Sequence, residues 1–390
     1  MRIAVLGRTF SRQAGGAETY AVEIAQELAT EHEVHVFTQS TDRPVQGVTY
    51  HPVWCISTRP RWLNHLLFAW LTWWATRKGF DVVHSHELTW HGQIQTIHVR
   101  PVRFNLLVGV TGWRLIARWL KVLTSPRLLT YVCLEAARFK QTCVVATSEP
   151  LAVECKKAYP KAHIEVVEPG IRLPATFIDK NQAKAHLGLD TTHKVILFVA
   201  NDFARKGLDA LLGAMVQLKK QAETDPTFKV PLLMIVGGGQ AAINSYQKKA
   251  ELLGVGSDVR FEGAQKNMYA YYFAADVLAH PTLEDSFGMV VLEALAHQLP
   301  VVVSGEPYCG ISAKLLGLSD VKTLSDPRNT EDIAKNLAIF MRHSVAVIHS
   351  DTDQPNQISR KISLDFVIQH LWGNSGGRYV QLMRQKSAPI

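Results

Sequence analysis

Short apolar runs alternate with amphipathic stretches along the N-terminal part of the chain. The run at 3–7 has the continuous apolar character of a buried strand, and Tyr20, Ile24 and Leu28 recur at four-residue spacing within a predicted helix over 17–30. The same pattern predicts strands at 34–38, 48–53 and 81–84 and a helix over 62–76. Strands that alternate with helices in this way favour a parallel sheet covered on both faces.

The alternation begins again near Lys194. Strands are predicted at 195–199, 232–236, 259–261, 277–280 and 301–303, and helices over 208–218, 241–253 and 289–297. Residues 168–174 read Glu-Pro-Gly-Ile-Arg-Leu-Pro, which is rich in helix breakers and suits a linker. We therefore expect an α/β protein of two doubly wound, Rossmann-like domains that face one another across a cleft.

The expected domain limits follow from this linker. Residues 1–168 form the N-terminal domain, residues 175–365 form the C-terminal domain, and 366–390 form a helical segment that returns to the N-terminal domain. Within the last helical stretch, roughly 363–385, we expect Gly373, Gly376 and Gly377 to interrupt the helix.

The composition predicts a soluble, cytoplasmic protein. The 390 residues are 47% hydrophobic and 19% charged, which is typical of globular proteins. The five cysteines form no C-x-x-C pair, which favours reduced structural thiols over disulfides or zinc. The N-terminal residues lack a signal-peptide core, and no apolar run reaches the roughly 18 residues of a spanning helix.

Positive charge is concentrated in the first half of the chain. The net charge is +8, and the segment from Arg59 to Lys140 holds twelve Lys or Arg against three acidic residues. Eight of the nine tryptophans lie before residue 120. A basic, Trp-rich surface can attract nucleic acid or an anionic membrane, whereas a solvated basic face over buried aromatics serves neither. No nucleic-acid-binding motif is present, so a nucleic-acid partner is not expected.

A helix predicted to begin near Gly112 is the strongest membrane candidate within 100–140. Its basic residues fall on one side, and its apolar residues form a neighbouring stripe: Arg114, Arg118 and Lys121 against Trp113, Ile116 and Leu120, with Trp119 at the flank. Such a helix can lie in the membrane interface on the inner face of the cytoplasmic membrane. The alternative is a core helix whose tryptophans pack on the sheet.

Candidate chemistry lies in the loops that follow predicted strands, where open parallel sheets bind ligands. Gly15 and Gly16 precede the first helix and can accommodate a phosphate, although a simple turn explains them too. Arg205 and Lys206 can clamp a diphosphate. The glycine run beginning at Gly237 and Gly238 lets the backbone approach a base or phosphate closely, or serves as a plain turn.

The stretch 280–294 contains the most candidate site residues. Asp285 and Glu293 lie eight residues apart and bracket a loop and a helix start. We expect the amides of Phe287, Gly288 and Met289 to be free at that helix start. The two carboxylates can accept hydrogen bonds from sugar and ribose hydroxyls, whereas the alternative is a capping acid and a solvated helical Glu.

In order and spacing these residues resemble family 4 retaining glycosyltransferases of GT-B fold, and most closely the lipopolysaccharide core glucosyltransferases. The resemblance rests on the acid–seven residues–Glu-Ala pattern from Asp285 to Glu293, with His-Pro-Thr before it. It is supported by Ala-Arg-Lys-Gly-Leu-Asp upstream and Leu-Pro-Val-Val-Val downstream.

The resemblance implies that residues 1–168 form the acceptor-side domain and residues 175–365 the nucleotide-sugar-binding domain. It also implies a role for each matching residue. Asp285 would contact donor-sugar hydroxyls, Glu293 would contact the ribose, and Arg205 and Lys206 would hold the diphosphate. Gly15 and Gly16 of the first domain would bind the donor opposite Arg205 and Lys206. The other donor-binding residues would be Gly237, Gly238, Ser286, Phe287, Gly288 and Met289. His98, in Gln-Thr-Ile-His, matches a histidine near the reacting sugar.

Two departures from the family pattern bear on donor binding. The first acid is usually Glu, so Asp285 is one methylene shorter, although Glu284 could take its role with an altered register. A frequent Gly-Arg after the first strand of the second domain is Ala200-Asn201 here, which leaves more of the phosphate charge to Arg205 and Lys206.

The resemblance further implies retention at the anomeric carbon, with no protein nucleophile, no cofactor and a UDP-sugar as donor. The acceptor would be a saccharide or lipid-linked saccharide of the cell envelope. A glycosidase would not explain the glycine and Arg-Lys loops. A GT-B-fold nucleotide-sugar epimerase and a basic nucleic-acid-binding protein remain the alternatives. Asp351-Thr352-Asp353 resembles a metal-binding D-x-D, but its polar, C-terminal context indicates a solvated turn, so no metal is expected.

Overall fold

The computed structural model describes residues 1–12, 15–56, 59–141, 143–342 and 366–387. The chain divides into two compact units, which we call unit 1 (Met1–Gly170 with Trp372–Ile390) and unit 2 (Ile171–Leu371). Each unit is built on one parallel sheet.

Unit 1 contains a seven-stranded sheet. Its strands are β1 (Arg2–Leu6), β3 (Glu33–Thr38), β5 (Val48–Pro52), β6 (Val82–Ser85), β7 (Ile94–Ile97), β8 (Cys143–Ala146) and β9 (Ile164–Val166), and β2 (Thr9–Phe10) pairs with β4 (Ser40–Thr41) separately. The helices between them are α1 (Gly16–Leu28), α2 (Arg61–Thr76), α3 (Val102–Leu107), α4 (Gly112–Thr124), α5 (Pro126–Gln141) and α6 (Glu149–Ala158).

The strand order of this sheet is β5-β3-β1-β6-β7-β8-β9, and all neighbours are parallel. From β1 the chain builds outward through β3 and β5, and then returns to add β6 on the other side of β1. The switch point of unit 1 therefore lies between β1 and β6, and open α/β sheets bind their ligands outside the carboxyl ends of the strands at such a point.

Unit 2 repeats this plan with six strands. They are β10 (Val195–Val199), β11 (Leu232–Val236), β12 (Val259–Gly263), β13 (Val277–His280), β14 (Val301–Ser304) and β15 (Val321–Leu324), in the order β12-β11-β10-β13-β14-β15. The helices are α7 (Lys180–His186), α8 (Leu208–Thr224), α9 (Gln240–Leu252), α10 (Tyr269–Ala274), α11 (Met289–Ala296) and α12 (Thr330–Arg342). Its switch point lies between β10 and β13.

Burial on both sheet faces explains the continuous apolar runs of the central strands. In β10, Ile196 and Phe198 belong to one core cluster, whereas Val195 and Leu197 belong to the cluster on the opposite face. Each side chain of the strand is therefore removed from water by a helical layer. The predicted class, two doubly wound Rossmann-like units, is confirmed.

The last helix, α13 (Trp372–Ser387), belongs to unit 1. The prediction that glycines interrupt it is wrong, because the helix runs through Gly373, Gly376 and Gly377. A Cβ on Gly376 would lie 3.0 Å from Glu27 Cβ, so the missing side chain lets α13 approach α1 closely. The tertiary contact offsets the intrinsic cost of glycine in a helix, which is roughly 1 kcal/mol.

Helix α4 is largely exposed. Trp113 is 74% and Ile116 is 72% exposed, whereas Val122 is buried. The alternative of a core helix whose tryptophans pack on the sheet is therefore excluded. No helix in the described ranges is both long and apolar enough to span a membrane.

Candidate active site

An ion pair joins the two loops at the switch point of unit 2. Lys206, which follows β10, places Nζ 2.5 Å from Oδ2 of Asp285, which follows β13. The same oxygen lies 3.0 Å from Nε2 of His280, the last residue of β13, and Oδ1 accepts the amide N–H of Phe287 at 3.3 Å. Asp285 is thus held at both oxygens.

These contacts fix the charge of Asp285. Burial would raise the pKa of its carboxyl group, but the hydrogen bond from His280 and the charge of Lys206 outweigh that effect, and the pKa lies below its ordinary value. Burial lowers the pKa of His280 despite the neighbouring carboxylate. A neutral His280 donates its Nε2 proton to an ionised Asp285, and its buried Nδ1 has no hydrogen-bond partner among the described residues.

A glycine brings the two loops together. Gly207 adopts φ +82°, and a Cβ there would lie 1.9 Å from the carbonyl oxygen of Pro281, so no other residue fits. The amide of Leu283 donates to the carbonyl of Arg205 at 2.9 Å, which ties the loops directly. Arg205 itself is half-exposed, with Nε 3.6 Å from Asp202 Oδ2, so its guanidinium can reach a ligand.

Gly237 and Gly238 are also required by packing. Both have positive φ, and a Cβ on Gly237 would lie 2.2 Å from the carbonyl oxygen of Ala200, while one on Gly238 would lie 2.3 Å from the ring of Phe203. The loop after β11 therefore packs against the loop after β10. Its proposed contact with the donor stays a prediction.

Helix α11 begins at the same edge of the sheet. Gly288 adopts φ +105° as its N-cap, Met289 is its first residue, and Ser286 and Phe287 lead into it. The expectation of three free amides is wrong at Phe287, because its N–H is taken by Asp285. The amides of Gly288, Met289 and Val290 make no hydrogen bond within the described part of the chain, so they remain available to an anion.

Glu293 lies one turn further along α11. Tyr272 of α10 donates its hydroxyl to Glu293 Oε2 at 2.5 Å, and the ring of His297 stacks on Tyr272 at 4.7 Å. Burial raises the pKa of Glu293, and the Tyr272 hydrogen bond opposes that shift. Sequence reasoning missed Tyr272, although the run Tyr-Ala-Tyr-Tyr-Phe over 269–273 marked an aromatic element.

His98 follows β7 in unit 1 and belongs to a cluster of buried and partly buried histidines. Its Nε2 lies 3.1 Å from Nδ1 of His86, and its ring contacts Tyr20 edge-on at 5.1 Å. Burial, followed by the charge of Arg138, lowers the pKa of His98 to about 3, so the ring is neutral at neutral pH. Sequence reasoning missed His84 and His86, whose alternation in His-Ser-His was the available signal.

Gly15 and Gly16 also belong to unit 1. Gly15 is the N-cap of α1 and Gly16 its first residue. A Cβ on Gly15 would lie 2.8 Å from Glu18 Oε2, the end of a flexible side chain. The structure thus brings Arg205, Lys206, Asp285 and the start of α11 together in unit 2, and places Gly15, Gly16 and His98 in unit 1.

Among the described residues, no group of three or more His, Cys, Asp or Glu side chains is arranged to bind a metal ion. Asp351-Thr352-Asp353 lies outside the described residues.

The fold and the cation–acid pair at a switch point define a class, the GT-B proteins with two Rossmann-like units. The crystal structure of WaaG, described as a glycosyltransferase involved in lipopolysaccharide biosynthesis, superposes with a TM-score of 0.78 over 98% of this chain and 99% of WaaG, at 19% identity. HepE of Anabaena, in complex with UDP and glucose, superposes with a TM-score of 0.66 over 98% of this chain and 99% of HepE, at 16% identity.

Family models match both halves of the sequence. Residues 14–173 match the model described as "Glycosyltransferase Family 4", and residues 179–358 match "Glycosyl transferases group 1". The chain belongs to the family 4 glycosyltransferases of GT-B fold, as the sequence predicted. The epimerase alternative is not favoured by these matches.

Two curated relatives illustrate the range of the family. The lipopolysaccharide glucosyltransferase WaaG of Escherichia coli is 26% identical over 54% of this chain, and the match spans about half, 56%, of that protein. A D-inositol 3-phosphate glycosyltransferase of Corynebacterium diphtheriae is 27% identical over 75% of this chain and 74% of that protein.

Proposed function

We propose that this chain is a retaining, metal-independent glycosyltransferase. It moves a sugar from a UDP-sugar to a saccharide or lipid-linked saccharide acceptor in cell-envelope polysaccharide or lipopolysaccharide synthesis. The observation that carries the proposal is the Lys206–Asp285 pair, which sets a cation and an acid side by side where the sheet of unit 2 switches direction. The similarity to WaaG, a glycosyltransferase involved in lipopolysaccharide biosynthesis, supports the envelope acceptor.

In this proposal the phosphates are bound by charge and by backbone dipoles. Arg205 and Lys206 neutralise the diphosphate, and the unpaired amides at the start of α11 donate to its oxygens. Negative charge grows on the diphosphate as the glycosidic C–O bond breaks. Cations fixed in advance therefore stabilise the transition state more than the ground state.

Asp285 and Glu293 position the two ends of the donor. Oδ2 of Asp285 already accepts from Lys206 and His280, whereas Oδ1 accepts only the amide of Phe287, so a sugar hydroxyl can donate to Oδ1. Tyr272 holds one oxygen of Glu293, which leaves the other for the ribose hydroxyls.

The acceptor hydroxyl attacks the anomeric carbon from the face that the diphosphate leaves. A new C–O bond forms as the sugar–phosphate bond breaks, and the hydroxyl proton passes to an oxygen of the departing phosphate. Configuration is retained, and catalysis rests on positioning and electrostatics rather than on a protein nucleophile.

The test is incubation of the purified protein with a panel of nucleotide sugars, with and without a lipopolysaccharide core acceptor. We expect slow release of UDP from one UDP-sugar alone and much faster release with the acceptor, both unaffected by chelator. Sugar epimerisation without transfer, no turnover of any donor, or activity that chelator removes and manganese restores would contradict the proposal.

A second part of the proposal is peripheral docking of α4 on the inner face of the cytoplasmic membrane. Trp113, Ile116 and Leu120 form an exposed apolar stripe, while Arg114, Arg118 and Lys121 supply cations beside it. An apolar stripe flanked by cations suits an anionic lipid interface, where the rings enter the headgroup region and the cations pair with phosphates. Docking would bring the enzyme to a membrane-embedded acceptor.

A further inference from the structure

Unit 1 carries its own cation–carboxylate pair at its own switch point. The backbone N–H of Arg8 donates to Glu87 Oε1 at 3.1 Å, and its Nε donates to Oε2 at 2.9 Å. The two side chains are 25% and 19% exposed. Arg8 and Glu87 are 79 residues apart in sequence, the same separation as Lys206 and Asp285 in unit 2.

The position of this pair in the fold indicates a ligand site. Arg8 follows β1 and Glu87 follows β6, the two adjacent strands between which the sheet of unit 1 switches direction. The crevice outside the carboxyl ends of such strands is where open α/β sheets bind ligands. A short turn fixes Glu87 there, because the Ser85 hydroxyl donates to the Glu87 carbonyl at 3.1 Å and accepts its amide at 3.2 Å.

The chemistry of the pair indicates which ligand it can bind. An ionised carboxylate accepts about four hydrogen bonds, and Arg8 supplies two. His65 Nδ1 lies 3.9 Å from Oε2 and makes no hydrogen bond to any described residue, so Glu87 retains acceptor capacity. Burial, then the charge of Arg8, lowers the pKa of His65 to about 4, so the histidine is neutral at neutral pH.

The charges of Arg8 and Glu87 cancel, and the adjacent histidine adds none. Arg8 already donates to both oxygens of Glu87, so a phosphate here would meet a carboxylate whose paired cation is engaged. Vicinal hydroxyls, in contrast, can donate to the free positions of a carboxylate through charge-assisted hydrogen bonds. The site therefore suits a neutral polyhydroxylated group rather than an anion.

We propose that Glu87, oriented by Arg8, binds vicinal hydroxyls of the acceptor saccharide at the switch point of unit 1. This inference rests on the proposed function, since it names the residues of this chain that recognise the acceptor. Each unit then uses the same device, a cation–acid pair across its switch point, with the donor on unit 2 and the acceptor on unit 1.

The experiment measures binding of a deacylated lipopolysaccharide inner-core oligosaccharide by saturation-transfer NMR and calorimetry, with UDP binding measured in parallel. We expect Glu87→Gln to raise the Kd for the oligosaccharide about tenfold or more, because hydrogen bonds to a charged group are lost. Arg8→Lys keeps the charge but loses the fixed fork of donors, so a smaller increase is expected.

The matched control is Glu33→Gln. Glu33 pairs with Arg2 Nε at 3.0 Å at the amino ends of β3 and β1, the opposite edge of the same sheet. Circular dichroism and thermal unfolding of all three variants report that unit 1 is folded, and UDP binding reports the same for unit 2. An oligosaccharide Kd in E87Q equal to that of the unmutated protein or of E33Q would overturn the inference, as would absence of oligosaccharide binding by the unmutated protein. Failure of UDP-sugar turnover, in contrast, would overturn only the proposed function.

Discussion

Lys206 Nζ lies 2.5 Å from Asp285 Oδ2, and His280 Nε2 lies 3.0 Å from the same oxygen. Asp285 therefore positions the ammonium group of Lys206. A diphosphate that binds here competes with a carboxylate already in place.

Removal of this cation should reduce catalysis more than binding. We expect Lys206→Ala to lower kcat about 100-fold or more at saturating donor, because the ammonium acts mainly on charge that develops in the transition state. Arg205→Ala should have a milder effect, since Arg205 is half-exposed. Steady-state kinetics with the UDP-sugar that the protein hydrolyses provide the measurement.

Lys219→Ala is the matched control for this experiment. Lys219 Nζ pairs with Asp258 Oδ2 at 3.3 Å, just before β12 and away from the carboxyl ends of the strands. Its kcat should be unchanged. A near-normal kcat in K206A, or an equal loss in K219A, would contradict the assignment of the phosphate clamp.

Glu293 should act on donor binding. We expect Glu293→Gln to raise the KM for the donor with a smaller change in kcat, because its ribose bonds exist in both ground and transition states. Tyr272→Phe should raise the same KM less, since it frees the carboxylate without removing it. Asp285→Asn should instead change the ratio of kcat/KM between epimeric donor sugars. Unchanged donor kinetics in all three variants would refute the proposed site.

The buried histidines of unit 1 should make the protein sensitive to mild acid. The pKa of both His84 and His98 is lowered from the ordinary 6.5 to about 3 by burial first. The neighbouring His98 adds to the shift of His84, and the charge of Arg138 lowers the pKa of both. The unfolded chain therefore binds protons that the folded protein rejects, so the free energy of unfolding falls as pH decreases from about 6.5 towards 3.

His84→Gln tests this linkage. Near pH 5, the slope of the free energy of unfolding against pH should be smaller in the variant than in the unmutated protein. The difference should be up to about 1.4 kcal/mol per pH unit, which corresponds to one proton. Urea unfolding between pH 4.5 and 7.5 supplies the slopes. His163→Gln is the control, because its side chain is 61% exposed and should leave the slope unchanged. Identical slopes in H84Q and the unmutated protein would show that His84 is not held neutral.

Charge reversal on α4 should weaken membrane binding. Each basic residue near an anionic surface contributes roughly 1 kcal/mol. We expect the triple reversal of Arg114, Arg118 and Lys121 to Glu to abolish sedimentation with anionic vesicles at low salt. Neutral vesicles should bind the unmutated protein poorly.

The control carries the same charge change elsewhere. Lys220, Lys248 and Lys335 are exposed on helices of unit 2, and their reversal to Glu should reduce vesicle binding only slightly. If both triple variants lose binding equally, net charge rather than α4 governs the interaction. If the unmutated protein binds neither vesicle type, or both equally, the docking proposal fails.

The sequence by itself determined the elements and their order. The apolar run at 195–199 coincides with β10, and the pattern at 289–297 coincides with α11 to within one residue. Both elements are predictable because burial on two faces of a sheet, or along one stripe of a helix, produces a local periodicity of apolar residues. The acid–seven residues–Glu spacing also predicted that both acids lie on one loop and the helix that follows it.

Only the tertiary structure decided which side chains meet. Lys206 reaches Asp285 across 79 residues because Gly207 packs on Pro281, and Tyr272 reaches Glu293 from a different helix. Local periodicity cannot encode such pairs. The same holds for α13, whose glycines predict a break but permit a close contact with α1. The intrinsic helix propensity of a residue differs by only about 1 kcal/mol from that of another, so tertiary packing, which depends on the whole fold, outweighs it.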